Sequence, residues 1–338
     1  MDVEDRIGKI KDLINRSANV VITIHHSPDG DAIGSALGLY HYLYRLGCHP
    51  KVISPNDYPA CYHWLNGHED VLFHNVDPVI CEKRVMDADI IFCLDFNSLD
   101  RLYDLELPVR NSKAKRILID HHPGPQDTFD VVISDPDSSS TAALIYEFIV
   151  AMGDEPLLNQ PVCEALYTGI LTDTGCFRYA STNEQALRIC AALIGHGADH
   201  GKICSAVYDN NSENRLGLLG YCLSEKMLVL RKYNTVLISL SLAELDRFHY
   251  EVGDTEDIVN YGLTIKGIRM SALITEREDE IKISLRSKGK LAVNEIAGKH
   301  FSGGGHRNAA GGQTNLSLDE TIEKFLSVLP EYENELTS

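Results

Sequence analysis

Between residues 20 and 171 the chain alternates short apolar runs with amphipathic helical patterns, and this alternation restricts the fold more than any other feature. Residues 20–25 (VVITIH) form an apolar run bounded by Pro28 and Gly30, which reads as a buried strand. From Ala32 the apolar positions Ile33, Ala36, Leu37, Tyr40, Leu43 and Tyr44 follow helical spacing until Gly47 supplies a stop. Residues 51–54, 89–95, 116–120 and 131–134 are further strand candidates, and helical patterns follow at 141–152 and 161–171. Strands and helices alternating in this way predict an α/β domain over residues 1–195, a parallel sheet with helices on both faces.

Residues 196–227 read as a helical linker punctuated by Gly197 and Gly201. The pattern then changes. Residues 234–240 and 268–275 read as strands, 280–285 keeps a period of two, and 293–300 and 318–329 are helical. A smaller α+β domain over residues 228–338 is expected, facing the first across a cleft. The chain of 338 residues is long enough for both cores.

Composition narrows the partners. The formal charge is −18, whereas a protein that tracks long nucleic acid usually carries a basic stripe, so no stable long polymer partner is expected. Short anionic substrates remain compatible where bound cations and a few Arg and Lys invert the potential locally. Nine cysteines, none in a C-x-x-C pair, argue against a disulfide framework and a thiolate zinc site. The charged opening MDVEDRIGKIKDL does not read as a signal peptide, and the apolar stretches ANVVITI and AALIYEFIVAM are too short or interrupted to span a bilayer. A cytoplasmic location without membrane attachment is expected.

The chemistry sits where the apolar runs end. His25, Asp29 and Asp31 lie in HHSPDGDAIGS, Asp95 ends ADIIFCLD, and Asp120, His121 and His122 end RILID and open into PGP. Asp173 follows an apolar segment in LYTGILTDTGCFRY. In an open parallel sheet such C-terminal ends share one edge, where ligands bind. Eight ionisable side chains meeting there would repel each other unless cations were present. Carboxylate and imidazole without thiolate suit Mn²⁺, Mg²⁺, Co²⁺ or Zn²⁺, and the oxygen-rich mixture favours Mn²⁺ or Mg²⁺. Two ions roughly 3.5–4 Å apart, bridged by a carboxylate and a hydroxide, would generate the nucleophile and steady the leaving oxygen. Asp95, on a strand between the other ligands, fits the bridging position. Each group has a plainer explanation by itself: an Asp-x-Asp helix cap, a satisfied Asp-His-His turn, a loop cap at Asp173. All four together are harder to explain that way.

These segments, HxxPDGDAIGS, LDFNSLDRL, IDHHPG and GILTDTGCFRY, resemble the four signature motifs of the DHH phosphoesterase superfamily, in the same order. FSGGGHRNAAGG is similar to the glycine-rich signature of the DHH-associated substrate-binding domain in the exonuclease and phosphodiesterase branch. The resemblance implies that His25, Asp29 and Asp95 hold one Mn²⁺ and that Asp31, Asp95, His121 and Asp173 hold a second. It implies that His122 faces the substrate phosphate and that Asp120 orients a neighbouring group. His26 falls at a variable motif position and is left out of the site.

In the C-terminal half, Ser302–Gly312 holds five glycines around His306, Arg307 and Asn308, a composition suited to a phosphate-binding concavity or to a flexible turn. Upstream, EIKISLRSKGK places Ile281, Ile283 and Leu285 inward and Lys282, Ser284, Arg286 and Lys288 on the other face. Arg286 is the candidate phosphate or base contact. The resemblance adds Gly304, Gly305 and His306 as nucleotide contacts, with Arg101 and Arg178 as cations on the catalytic side. It further implies short substrates: oligoribonucleotides of a few residues, pApA, cyclic di-AMP, or 3′-phosphoadenosine 5′-phosphate (pAp). Similar proteins often form dimers. Inorganic pyrophosphatase or polyphosphatase activity is the nearest enzymatic alternative, and a non-catalytic nucleotide sensor is the alternative from another class.

Overall fold

Six strands, β1 (Asn19–Ile24), β2 (His49–Ser54), β3 (Leu72–Phe73), β4 (Ile90–Leu94), β5 (Lys115–Asp120) and β6 (Val131–Ser134), form a sheet in the order β3-β2-β1-β4-β5-β6. Every neighbouring pair is parallel. This computed structural model describes residues 3–14 and 19–337. Side chains of the central strands alternate between two apolar layers, as period-two geometry requires. Val20, Ile22, Ile24, Phe92, Leu94, Ile117 and Ile119 face one core, while Val21, Ile91, Cys93 and Leu118 face the other.

Helices cover both layers. The first core is closed by α1 (Val3–Leu13) and α2 (Gly30–Arg45), and the second by α3 (Pro78–Met86) and α4 (Glu106–Asn111). The helices α5 (Thr141–Ala151), α6 (Gln160–Asp173), α7 (Glu184–Gly195) and α8 (His200–Tyr208) return to the first face. The α/β architecture expected from the alternation is therefore present. Strand β3 has no counterpart in the sequence reading, because two residues are too few to display a period.

The α2–α6 contact is unusually close for a local reason. Gly30, Gly34 and Gly38 stand four residues apart on one side of α2, and face Thr172, the Ala165–Gly169 main chain and Leu166 of α6. A Cβ at Gly34 would lie 2.6 Å from the Ala165 carbonyl oxygen and 2.8 Å from the Gly169 nitrogen. The two helices run in opposite directions along this seam, which brings the first turn of α2 beside the last turn of α6.

The chain divides into two compact units, Met1–Asn210 and Asn211–Ser338. Helices α7 and α8 belong to the first, and the helix Glu213–Tyr221 to the second. The second unit holds β7 (Leu228–Leu230), β8 (Thr235–Leu240), β9 (Met270–Glu276), β10 (Ile281–Ser287), β11 (Gly304–His306) and β12 (Ala309–Thr314). Their order is β11-β12-β10-β9-β8-β7, with β8 and β9 parallel and the remaining pairs antiparallel. One apolar layer packs under Val293–His300 and Leu318–Val328, and another under Leu242–Arg247 and Ile258–Thr264.

The glycine-rich segment forms a hairpin of β11 and β12 rather than a flexible turn. A Cβ at Gly303 would collide with the Gly311 carbonyl, and one at Gly305 would lie 2.7 Å from that of Ala309. These glycines serve close backbone pairing. Among the described residues no helix is long and apolar enough to cross a membrane.

Candidate metal centre

Three strands of the first sheet deliver their chemistry at their C-terminal ends. β1 runs directly into His25, β4 into Asp95, and β5 ends on Asp120 and continues to His121 and His122. Asp29 caps α2, accepting from the Asp31 and Ala32 N–H groups at 3.0 and 3.1 Å. The capping explanation for Asp29 thus holds, yet the same carboxylate also reaches the cluster. Asp173, the last residue of α6, arrives through the glycine seam.

The imidazoles are aimed by their inner nitrogens. His25 Nδ1 lies 2.9 Å from the His26 carbonyl, and His121 Nδ1 lies 3.4 Å from that of Ser138. Both Nε2 atoms are then turned to the carboxylates. His25 Nε2 stands 3.5 Å from Asp95 Oδ2 and 4.0 Å from Asp29 Oδ1. His121 Nε2 stands 3.5 Å from Asp95 Oδ1, and 3.7 Å from both Asp31 Oδ2 and Asp173 Oδ2. Asp95 therefore offers one oxygen to each side. Its backbone is left-handed (φ 64°), a conformation an aspartate tolerates better than most residues.

These separations are longer than ordinary hydrogen bonds. They suit donors that converge on a common point, each about 2.0–2.2 Å from a divalent ion. Donor atoms of His25, Asp29 and Asp95 lie within 4.8 Å of one another, as do those of Asp31, His121 and Asp173. The residues present fit a divalent cation in donor type and in spacing.

Electrostatics agree. Burial and the charges of Asp95, Asp173 and Asp29 push the Asp31 carboxyl well above the usual range, although Ala142 N–H opposes this. Burial also raises Asp173, helped by Asp29 and Asp95 against the pull of His121. Asp95 is the exception: burial works to raise it, but a hydrogen bond with His25 and the charges of His122 and His121 hold it below the usual range. Crowded carboxylates that resist ionising alone are the condition a cation relieves.

Three supporting residues escaped the sequence reading. The Thr141 and Ala142 N–H groups, at the start of α5, donate to Asp31 at 2.6 and 2.9 Å, and Thr141 Oγ1 donates to Asp95 Oδ1 at 2.8 Å. Ser138, just ahead of that helix, supplies the carbonyl behind His121. Thr141→Val keeps the shape and removes the hydroxyl donor. The expected result is about 1 kcal/mol of lost stability and a roughly tenfold or larger loss of metal affinity or turnover. Urea unfolding and metal titration measure the two effects.

His122 and Asp120 form a pair, with Nδ1 2.7 Å from Oδ1. Burial lowers the His122 pKa, but this bond and the Asp95 and Asp120 charges outweigh it and raise the net value. Asp120 Oδ2 is buried with no hydrogen-bond partner. Of the remaining candidates, Arg178 Nε donates to the Gly175 carbonyl at 2.8 Å in the loop after α6, and the Arg101 carbonyl accepts from His26 N–H at 2.8 Å. In the second unit, Arg286 on β10 is opposite Ala309, which is opposite His306, so Arg286 and His306 share one row and one face of that sheet. Gly304 and Gly305 precede His306 on β11.

Residues 19–170 match the DHH family, N-terminal domain, and residues 235–335 match the DHHA1 domain. The chain is 32% identical over 314 residues to the bifunctional oligoribonuclease and PAP phosphatase NrnA of Thermus thermophilus, spanning 92% of this chain and 89% of that protein. It is 25% identical over 340 residues to the cyclic-di-AMP phosphodiesterase GdpP of Bacillus subtilis, spanning 96% of this chain and 49% of that protein. A crystal structure of an exopolyphosphatase-related protein from Bacteroides fragilis superposes with a TM-score of 0.95 at 40% identity, covering 99% and 98% of the two chains. Sheet, donor chemistry and relatives together define a metal-dependent phosphoesterase. The chain belongs to the DHH family, and its C-terminal unit carries a DHHA1 domain.

Proposed function

We propose that this phosphoesterase hydrolyses short oligoribonucleotides and dinucleotides, including pApA, cyclic di-AMP and pAp, to nucleoside monophosphates with two divalent ions, manganese foremost. The observation that carries the reading is Asp95, whose two oxygens face two separate carboxylate–imidazole groups. His25, Asp29 and Asp95 would hold one ion, and Asp31, Asp95, His121 and Asp173 the other. Ions bound there supply Lewis acidity toward the phosphoryl group and lower the pKa of water.

The chain's own contribution is alignment. Ser138 and the His26 carbonyl fix two imidazole rings, and Thr141 fixes Asp31 and Asp95. Asp120 holds the His122 ring through Nδ1, which leaves the other ring nitrogen for the substrate phosphate. Arg101 and Arg178 add positive charge on the catalytic side, and Arg286, Gly304, Gly305 and His306 would hold a neighbouring nucleotide. NrnA-named relatives along nearly the whole chain favour this substrate class.

A manganese-supported panel of di- to pentaribonucleotides, pApA, cyclic di-AMP, pAp and pyrophosphate tests it. The expected outcome is turnover of short RNA or a dinucleotide at a kcat/KM well above that for pyrophosphate. Faster pyrophosphate cleavage would overturn the substrate assignment, and tight nucleotide binding without hydrolysis would favour a sensor.

A further inference from the structure

Two loops from adjacent strands meet at the edge that gathers the carboxylates. β1 continues into His25, His26 and Ser27, and β4 into the 3₁₀ segment Leu99–Leu105. The His26 N–H donates to the Arg101 carbonyl, and the His26 and Tyr103 rings stack with centroids 4.2 Å apart and planes inclined by 32°. Both loops adopt costly backbone to achieve this: Ser27 has φ 54°, and Tyr103 has φ 51° with ψ −123°. The strain does not bury the Tyr103 ring. Tyr103 remains 54% exposed, whereas Leu102 and Leu105 beside it are wholly buried.

We propose that His26 and Tyr103 form a stacking platform for a nucleobase of the substrate. The proposal rests on the phosphoesterase reading above and adds recognition of the base on the catalytic side. An aromatic face stacks on any base, so the platform would distinguish a nucleotide from a bare phosphoester without selecting sequence. Its position one residue beyond His25 places that recognition next to the metal-binding residues.

The test compares equilibrium binding of AMP and ribose 5-phosphate to the full, manganese-loaded chain, since the two ligands share a phosphate and differ in the base. Wild type is expected to prefer AMP. Tyr103→Ala should weaken AMP binding about 5- to 150-fold and leave ribose 5-phosphate unchanged, whereas Tyr103→Phe retains AMP within about twofold. Equal weakening of both ligands, or none, overturns the platform. Should Tyr103→Ala misfold, Tyr103→Trp gives a second readout: AMP should quench its added fluorescence and ribose 5-phosphate should not. Unchanged emission with bound AMP also overturns the platform. Turnover of pApA by wild type is followed separately. Its absence would sink the hydrolase reading, while base-selective AMP binding would still support the platform.

Discussion

Asp95→Asn is expected to lower metal-dependent turnover by at least about a thousandfold while leaving the fold in place. Residues that merely orient a metal ligand typically contribute about 10- to 100-fold, and a shared ligand should exceed that range. The substitution keeps the volume of a buried side chain and removes the charge that His25, His121 and His122 face. A thermal measurement separates loss of metal from loss of structure. Metal at about 100 times its Kd should stabilise the wild type by about 2.7 kcal/mol, which raises Tm by about 5–11 °C in a unit of this size. Asp95→Asn should melt near the metal-free wild type and gain little from manganese. Wild-type turnover in this variant would refute the shared-ligand assignment.

The second large effect is expected at a residue that carries no charge itself. Gly34→Val forces a branched side chain against the Ala165 carbonyl and the Gly169 nitrogen, both main-chain atoms of α6. Overpacking of this kind costs about 1–3 kcal/mol, and rigid obstacles place this case near the upper end. A Tm decrease of roughly 6–12 °C follows. Separating α2 from α6 also moves Asp31 away from Asp173, so the manganese-induced rise in Tm should shrink in parallel. Gly8→Ala in α1 is the control, because nothing lies within 4 Å of the added methyl. It should leave the metal response unchanged and gain a few tenths to about 1 kcal/mol. A Gly34→Val protein as stable and as metal-responsive as wild type would show that the seam does not set the site.

Much of the fold and of the candidate ligand set was legible in the sequence, because both were written locally. A strand buried on both faces leaves an apolar run, and a site residue at its end is the polar residue that closes that run: His25, Asp95 and Asp120 are each found this way. Residue Thr141 was not legible. Its hydroxyl acts on Asp95 only because α5 begins beside β4, a pairing across 46 residues that leaves no local pattern. The helices Leu242–Arg247 and Ile258–Thr264 are too short to establish a period. The glycine-rich hairpin was not legible for another reason. Glycine serves anion contact and tight strand pairing alike, and the pairing depends on a partner strand that the local pattern does not name. Gly30, Gly34 and Gly38 carry no local signal of the seam, because only α6 lying across them gives their spacing a meaning.

That seam also dictates which mutational damage can be repaired. At Gly38 the obstacle is the Leu166 side chain, so Gly38→Ala should be rescued by trimming its neighbour with Leu166→Ala. At Gly34 the obstacle is peptide backbone, which every amino acid carries. No second substitution on α6 can clear that space, and revertants of a bulky residue at 34 should arise at position 34 itself.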